Sequence, residues 1–343
     1  MTPAVTSSGP FAAWIDGMRR VVRAPAVLAG VWLMTLLIAM PLALVLRDMI
    51  AQQLGDSVVA DSVADGVNYD WMQEFGEQAS GIGVTLKPTI IGFAAVLDNL
   101  SAFLDYTPRP TVIAGAAAAY VALWIFVAGG ILDRYARQRA TRAHGFFAAA
   151  GAYFFRFLRL GLVQLLAYGA LFTWLHPYLF DQLFPRLTRD MSVERNAFAV
   201  RVALYAVFTL LIAVFNLLFD YAKVRAVVED RRSMLGALAG SVRFVRSNPA
   251  AVVVYTINVA LFLAVVAAYA VVAPGAPAAG WKTWAVIVIG QLYVLARLWV
   301  KLTFWASEVA FFQSRLAHAG YVAAPQPEWP DSPAAEAIRP LER

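Results

Sequence analysis

The sequence predicts an all-α polytopic membrane protein with six transmembrane helices. Hydrophobic residues make up 61% of its 343 residues and charged residues only 15%, far from the balance of a soluble globular protein. A helix needs about 20 apolar residues to cross a bilayer, where only helices and closed barrels satisfy their own backbone. Six apolar runs approach or exceed this length, at residues 27–46, 111–132, 160–175, 200–219, 250–272 and 284–304. The third run is the shortest and needs Trp174 and Tyr178 at the interface to reach across.

Cationic side chains are concentrated in segments that separate pairs of these apolar runs. They are Arg19, Arg20, Arg23, Arg134, Arg137, Arg139, Arg142, Arg156, Arg159, Lys223, Arg225, Arg231, Arg232, Arg243 and Arg246. The positive-inside rule places such segments in the cytoplasm, so both termini are predicted to be cytoplasmic. The net charge of +6 therefore lies beside the membrane, and no nucleic-acid partner is expected.

The compartment is predicted from composition. Heavy use of Arg over Lys, with many Ala and Val residues, is typical of a GC-rich bacterial gene and indicates the bacterial plasma (inner) membrane. The first run is longer than a signal-peptide core and no small-residue cleavage site follows it, so it is expected to remain as an anchor. The chain has no cysteine, which excludes disulfides and thiol chemistry.

Each odd-numbered run is preceded by an apolar stripe at helical spacing that ends in two arginines separated by two apolar residues. An amphipathic helix with a basic edge lies flat in the headgroup region, so an interfacial helix is predicted before spans one, three and five. The paired arginines are Arg20 and Arg23, Arg156 and Arg159, and Arg243 and Arg246. Ser233 is a suitable N-cap for the helix before the fifth span, and Pro249 is placed to end it.

Acidic residues follow the even-numbered runs at a nearly constant period. Asp133 and Asp220 are 87 residues apart, and Asp220 and Glu308 are 88 apart. A fixed period indicates repeated units, here three tandem pseudo-repeats of an interfacial helix plus a helical hairpin. The predicted units are 1–133 with an extracytoplasmic insertion at 47–110, then 134–220 and 221–318, followed by a disordered cytoplasmic tail at 319–343. The alternative to a true repeat is that arginines occur at any cytoplasmic end of a span, so that the similar pattern does not indicate repeated units.

The insertion at residues 47–110 is the longest region outside the apolar runs. Its first half is acidic, and its second half contains an apolar stretch at 90–104. At about 15 residues, this stretch is too short to span a bilayer. It is therefore predicted to be interfacial, re-entrant or a lid, or else a helix lying on the bilayer within a solvated loop.

Ionisable side chains near or within apolar spans are rare and mark candidate functional positions. Arg297, Lys301 and Glu308 fall on one face of the last predicted helix, and Asp133 and Asp220 join them as candidates. Two interpretations are open. In the first, each acid pairs with one of the paired arginines and fastens an interfacial helix, while the two cations of the last helix extend toward the headgroups. In the second, these groups line a polar cavity that binds an anionic headgroup or substrate, or relays protons.

The segment 220–255, DYAKVRAVVEDRRSMLGALAGSVRFVRSNPAAVVVY, resembles uncharacterised six-span bacterial membrane proteins. The resemblance covers residues 219–323 and the insertion phrase WMQEF…IIGFAAVLDNLSAFLD. More distantly, the segment is similar to the membrane domain attached to some glycerophosphodiester phosphodiesterases, in which an amphipathic A-L-x-x-S helix and a basic turn precede a span. This chain has no room for the phosphodiesterase barrel, so the resemblance implies neither that activity nor its metal ligands.

No catalytic motif occurs in the sequence, which has no H-E-x-x-H, no G-x-S-x-G and no phosphate-binding glycine loop. The protein is therefore predicted to be non-enzymatic, without cofactor or metal, and to organise or handle lipid or another amphiphile. Its predicted partners are membrane lipids and other membrane-protein subunits. Two alternatives remain: a secondary transporter that uses Asp220, Glu308, Arg297 and Lys301, and a structural subunit that docks through the insertion. A water-filled cavity beside Arg297 would favour transport, and a hydrophobic lateral cleft would favour lipid handling.

Overall fold

The computed structural model describes residues 9–55, 57–64, 66–90, 92–273, 275 and 280–316. Within these residues the chain forms helices joined by turns, and no strand is present. Six helical segments are long and apolar enough to cross a membrane: Pro25–Leu54, Thr111–Arg137, Ala143–Thr188, Glu194–Val228, Ala250–Val272 and Trp281–Leu316. The all-α class and the six membrane-length helices are therefore confirmed. The cytoplasmic termini and the three repeated units stay predictions, and the tail at 319–343 lies outside the described residues.

Twelve α-helices follow one another along the described chain. They are α1 (Pro10–Val22), α2 (Pro25–Leu54), α3 (Ala60–Ala64), α4 (Tyr69–Gln78), α5 (Gly92–Leu104), α6 (Thr111–Arg137), α7 (Ala143–Ala170), α8 (Phe184–Thr188), α9 (Glu194–Val228), α10 (Met234–Ser247), α11 (Ala250–Val272) and α12 (Trp281–Leu316). Two short 3-10 turns, Gly83–Thr85 and Pro88–Ile90, lie between α4 and α5. Two π-helical stretches, Leu171–Leu175 and Tyr178–Leu183, lie between α7 and α8.

The C-terminal half of α12 is the centre of the fold. Between Leu298 and Ser314, every residue is buried except Trp299, Lys301, Phe304 and Gln313. Helices α1, α6, α9 and α11 pack around this half, and their buried apolar side chains join it in one hydrophobic core. Where these helices lie in a bilayer, close van der Waals packing and interhelical hydrogen bonds stabilise such a core. The other parts of the long helices expose apolar side chains such as Leu37 and Leu166, as expected of surfaces that face lipid.

Helix α1 is the amphipathic helix predicted before the first span, and it packs directly on α12. The Arg20 guanidinium, which is buried, donates to the Tyr135 carbonyl at 2.9 Å and to Gln313 at 2.8 Å, so it joins α1 to α6 and α12. It also forms an ion pair with Asp16 at 2.7 Å. Burial lowers the pKa of Arg20, and the Asp16 carboxylate opposes that shift. Arg20, the first arginine of the pair, thus fixes α1 against the protein core.

The prediction of a separate interfacial helix before the third span is wrong. Residues 143–188 form one continuous helical stretch, so Arg156 and Arg159 lie within the helix that crosses the membrane. The physical reason is the absence of a helix breaker, since Pro25 opens α2 and Pro249 precedes α11, whereas no proline lies between 143 and 176. The third span is consequently long. Pro177 lies between the two π-helical stretches, whose wider turns are where such a residue is accommodated.

Helix α10 has the boundaries that its sequence predicts. The Ser233 side chain accepts a hydrogen bond from the Gly236 backbone N–H, so it caps the helix, and Asn248 ends it before Pro249. Its buried face contains Gly240, against which the Arg225 guanidinium lies. A larger residue at this position would displace that side chain.

The insertion contains α5, which lies against the ends of two long helices. At one end, the Phe93 ring is 6.4 Å from that of Tyr269 in α11. At the other, the Phe103 ring is 5.4 Å from Phe172, and the Leu104 carbonyl lies 2.7 Å from His176 Nε2. With 13 residues, α5 is too short to span and instead bridges α11 and the π-helical part of the third span.

Candidate functional site

A polar cluster lies between α9 and α12 where the core begins. The Asp220 carboxylate accepts hydrogen bonds from Lys223 Nζ at 2.9 Å and from the Trp305 indole N–H at 3.2 Å. Asp220 and Lys223 are both largely buried, with side chains 16% and 18% exposed. The acid is therefore satisfied by one cation from its own helix and by one donor from α12.

Lys301 is the second cation of this cluster, one turn before Trp305. Its ammonium lies 3.5 Å from the centre of the Trp124 ring, so it makes a close cation–π contact across α6 and α12. It forms no ion pair with any residue that the structure describes. Its side chain is exposed and borders two cavities.

Two adjoining cavities meet at Lys301. The first, of about 520 Å³, lies among α6, α7, α9, α11 and α12. The second, of about 600 Å³, lies among α2, α6, α11 and α12. Tyr120, Lys301 and Phe304 border both of them, so the cavities share one wall. Each volume is within the range of sites that bind small organic ligands, about 300–1,000 Å³.

The two cavities differ in polarity. The first contains a short polar row in which Gln164 donates to the Tyr168 hydroxyl at 3.3 Å and that hydroxyl bonds to Asn216. Most residues that line the second are apolar, and the exceptions are Thr35, Tyr120, Arg297 and Lys301. Phe262 at its border is 36% exposed. Together they form a largely apolar space with the Lys301 side chain at the wall that they share.

Cations outnumber acids around these cavities. Arg297, one turn before Lys301, borders the second cavity, lies over the Tyr293 ring at 5.6 Å and is exposed. Like Lys301, it has no carboxylate partner in the described chain. The two cavities together are lined by three cationic side chains, Lys223, Arg297 and Lys301, and by one carboxylate, that of Asp220, so the local field favours an anion.

Within the described residues, none of the three acids pairs with one of the paired arginines, so the expected pairing is wrong for all three. Asp133 pairs with Arg137 at 2.7 Å and Asp220 with Lys223 at 2.9 Å, and both partners lie one turn further along the same helix. Such neighbours meet without any tertiary arrangement, which is why they take precedence over distant arginines. Glu308 is fully buried, borders neither cavity, and neither of its carboxylate oxygens has a hydrogen-bond partner within the described residues.

The paired arginines do not converge on the cavities. Arg156 forms an ion pair with Asp230 at 2.5 Å, and Arg159 donates to the Phe155 carbonyl of its own helix at 3.2 Å. Arg23, Arg243 and Arg246 are exposed. Of the predicted site residues, the structure brings together Asp220, Arg297 and Lys301.

Sequence reasoning missed Lys223, Trp124 and Trp305 as members of this site. Lys223 could have been found from its position three residues after Asp220 on a helix. Trp124 and Trp305 are 181 residues apart in the chain, yet their rings are 5.6 Å apart and nearly perpendicular. Only the packing of α6 against α12 reveals that contact.

Comparison of the chain with protein-family models, with curated proteins and with solved structures finds no match. The resemblance to six-span bacterial membrane proteins and to the membrane domain of glycerophosphodiester phosphodiesterases therefore stays a prediction.

Proposed function

We propose that this protein binds an anionic amphiphile, a molecule with an apolar chain and a phosphate or carboxylate headgroup, in the two adjoining cavities. One observation supports this more than any other. The Lys301 ammonium has no carboxylate partner among the described residues, and it lies at the wall between a partly polar and a largely apolar cavity.

The energetics of Lys301 favour an anionic ligand. An ammonium among apolar side chains is costly unless an anion or another polar group compensates for lost hydration. The Trp124 ring compensates in part, since cation–π contacts contribute about 0.5–2 kcal/mol. Asp220 is already bonded to Lys223 and Trp305, so a headgroup supplied by a ligand would complete the environment of Lys301.

The shape of the cavities supports an amphiphile over a small polar anion. A headgroup at Lys301 would have Arg297 one turn away along the same helix. The attached chain would then lie along Ile38, Leu42 and Ile113, which line the second cavity. Binding of this kind serves a protein that organises lipids or carries them.

The experiment measures binding of lysophosphatidic acid to the purified full chain by native mass spectrometry. Lys301→Met removes the charge that the headgroup would contact, and hydrogen bonds to charged groups contribute about 1.5–3 kcal/mol, so affinity should fall roughly 10- to 100-fold. Lys282→Met is the matched control, because it removes a lysine from the same helix that borders neither cavity. Equal binding by the two variants would refute the proposal.

A second pair of variants tests the apolar chain. Ala116→Phe fills space in the second cavity, whereas Ala118→Phe adds the same group to an exposed position of α6 outside both cavities. The first should weaken binding of both lysophosphatidic acid and uncharged monoacylglycerol, and the second should weaken neither. Monoacylglycerol should also bind the Lys301→Met variant as well as it binds the unaltered protein.

Proton-coupled transport of the same ligand is the second candidate function, and Glu308 favours it. Glu308 is fully buried in a membrane-length helix without a hydrogen-bond partner in the described chain, and acids within spans often serve as proton relays in transporters. The measurement is uptake of the amphiphile into proteoliposomes with and without a pH gradient. If the unaltered protein takes up the amphiphile at the same rate with and without the gradient, transport is not coupled to protons. Binding at Lys301 is tested separately by the experiments above.

A further inference from the structure

A surface groove on another side of the protein shares no lining residue with the two cavities. It lies between α2, α6 and the start of α7, and its volume is about 550 Å³. One end is formed by the α1–α2 junction and the turn between α6 and α7. The other end is formed by apolar side chains further along α2 and earlier in α6, so the groove is polar at one end and apolar at the other.

Two arginines form the polar end of this groove. The Arg134 guanidinium donates to the Arg23 carbonyl at 3.3 Å, which holds the two residues side by side. Neither forms an ion pair with another described residue, and Arg23 is exposed. No described carboxylate neutralises either positive charge at this end of the groove, so a bound anion would be favourable there.

The remainder of the groove is apolar and open. From Pro25 to Met34, the wall formed by α2 extends about 14 Å at the usual rise of a helix. Phe126 and Phe147 line the opposite side, and the Phe147 side chain is 54% exposed. Gly30 lies in the groove wall, and a Cβ built on it would meet no atom within 4 Å. The groove therefore has free space beside a flat stretch of α2.

We propose that this groove binds an anionic phospholipid of the surrounding bilayer, with its phosphate at Arg23 and Arg134 and an acyl chain along α2. Three features support this occupant: the unneutralised charge at one end, the apolar wall at the other, and the position of the groove on helices long enough to cross a membrane. A zwitterionic lipid also carries a phosphate, but its own cation offsets that charge, so an anionic lipid compensates the two arginines better. The site is separate from Lys301, so it does not depend on the function proposed above.

The test titrates phosphatidylglycerol and phosphatidylcholine into delipidated, full-length protein and counts bound lipids by native mass spectrometry. The unaltered protein should prefer phosphatidylglycerol. The double substitution Arg23→Gln and Arg134→Gln should weaken phosphatidylglycerol binding about tenfold or more and remove the preference, since it removes both positive charges of the polar end. All variants also carry Lys301→Met, so that a loss at the groove is read independently of the central cavities.

A second substitution fills the groove without altering its charge. Gly30→Leu places a side chain in open space, so it should fold normally and weaken binding of both lipids. Gly151→Leu is the control, because Gly151 also has no atom within 4 Å of a built Cβ and lies in α7 outside the groove. Phosphatidylcholine bound as tightly as phosphatidylglycerol by the unaltered protein would overturn the proposal. Unchanged lipid binding by the Gly30→Leu variant would also overturn the proposal. This variant therefore keeps the test decisive if the double arginine variant fails to fold.

Discussion

Gly17 and Ser307 bring α1 and α12 into backbone contact. A Cβ built on Gly17 would lie 2.5 Å from both Cα and the backbone nitrogen of Ser307. Ser307 is itself fully buried, and its hydroxyl accepts a hydrogen bond from Asn258 of α11 at 2.8 Å. Three helices therefore meet at one point, and Gly17 is the residue that allows α1 to approach so closely.

Gly17→Ala should destabilise the protein. Ala is usually favoured over Gly in a helix by about 1 kcal/mol, but here the added methyl group meets backbone, which cannot rotate away. Overpacking of this kind typically costs about 1–3 kcal/mol, so the melting temperature in detergent should fall. Gly151→Ala has open space around it and should leave the melting temperature unchanged or raise it. A melting temperature for Gly17→Ala at or above that of the control would contradict the close contact.

Asp220→Asn should cost more stability than Asp70→Asn. The first leaves the Lys223 ammonium, largely buried, without its carboxylate and weakens the bond from Trp305. Stranding a buried charge costs about 3–5 kcal/mol, and the partial exposure of this pair places the expected loss toward or below the lower value. Asp70 is exposed at the start of α4, where a loss of about 0–1 kcal/mol is expected. The measurement is the melting temperature of both variants in the same detergent. Equal decreases in melting temperature would show that Asp220 is solvated.

Local signals in the sequence predicted much of the helical architecture. The Ser233 cap, the breaks at Pro25 and Pro249 and the six apolar runs act within a few residues, and the structure contains each of them. The third span shows the limit of this reasoning. Its apolar run looked short because charged residues interrupt it, yet a helix continues through Arg156 when that side chain reaches a partner such as Asp230.

The candidate site could be predicted only in part, because its decisive contacts join distant parts of the chain. Lys301 and Asp220 were recognisable as rare ionisable groups near apolar spans. The contact between Lys301 and Trp124 depends on how α6 crosses α12, which no spacing within either helix reveals. The approach of Gly17 to Ser307 was hidden for the same reason.

Asp105 should make the junction between α5 and the fourth span sensitive to acid. The Tyr205 hydroxyl donates to its carboxylate, and this hydrogen bond lowers the pKa of Asp105, with Arg201 contributing at 3.5 Å. A lowered pKa stabilises the fold above the ordinary Asp value of about 4. That contribution is lost as the pH falls from about 4 through the lower pKa of the folded state.

The measurement for Asp105 is the melting temperature as a function of pH. At neutral pH, Asp105→Asn should melt below the unaltered protein, and the difference should shrink as the pH falls below about 4. Asp61→Asn is the control, because Asp61 is exposed and forms no ion pair with a described residue. It should follow the unaltered protein at every pH. A difference for Asp105→Asn that persists undiminished in acid would contradict the pairing.

Single cysteines should report an orientation with the arginine-rich turns in the cytoplasm. The chain has no cysteine, so each introduced thiol is the sole target of a membrane-impermeant maleimide. Asp61→Cys, in the acidic insertion, and Lys282→Cys, at the start of α12, should label in intact cells. Arg139→Cys and Arg243→Cys should label only after the membrane is permeabilised, because Lys and Arg are retained on the cytoplasmic side during insertion. The four positions form two independent pairs on different hairpins. The opposite pattern in both pairs would reverse the predicted topology, and a mixed pattern would mean that one of the six membrane-length helices does not cross the bilayer.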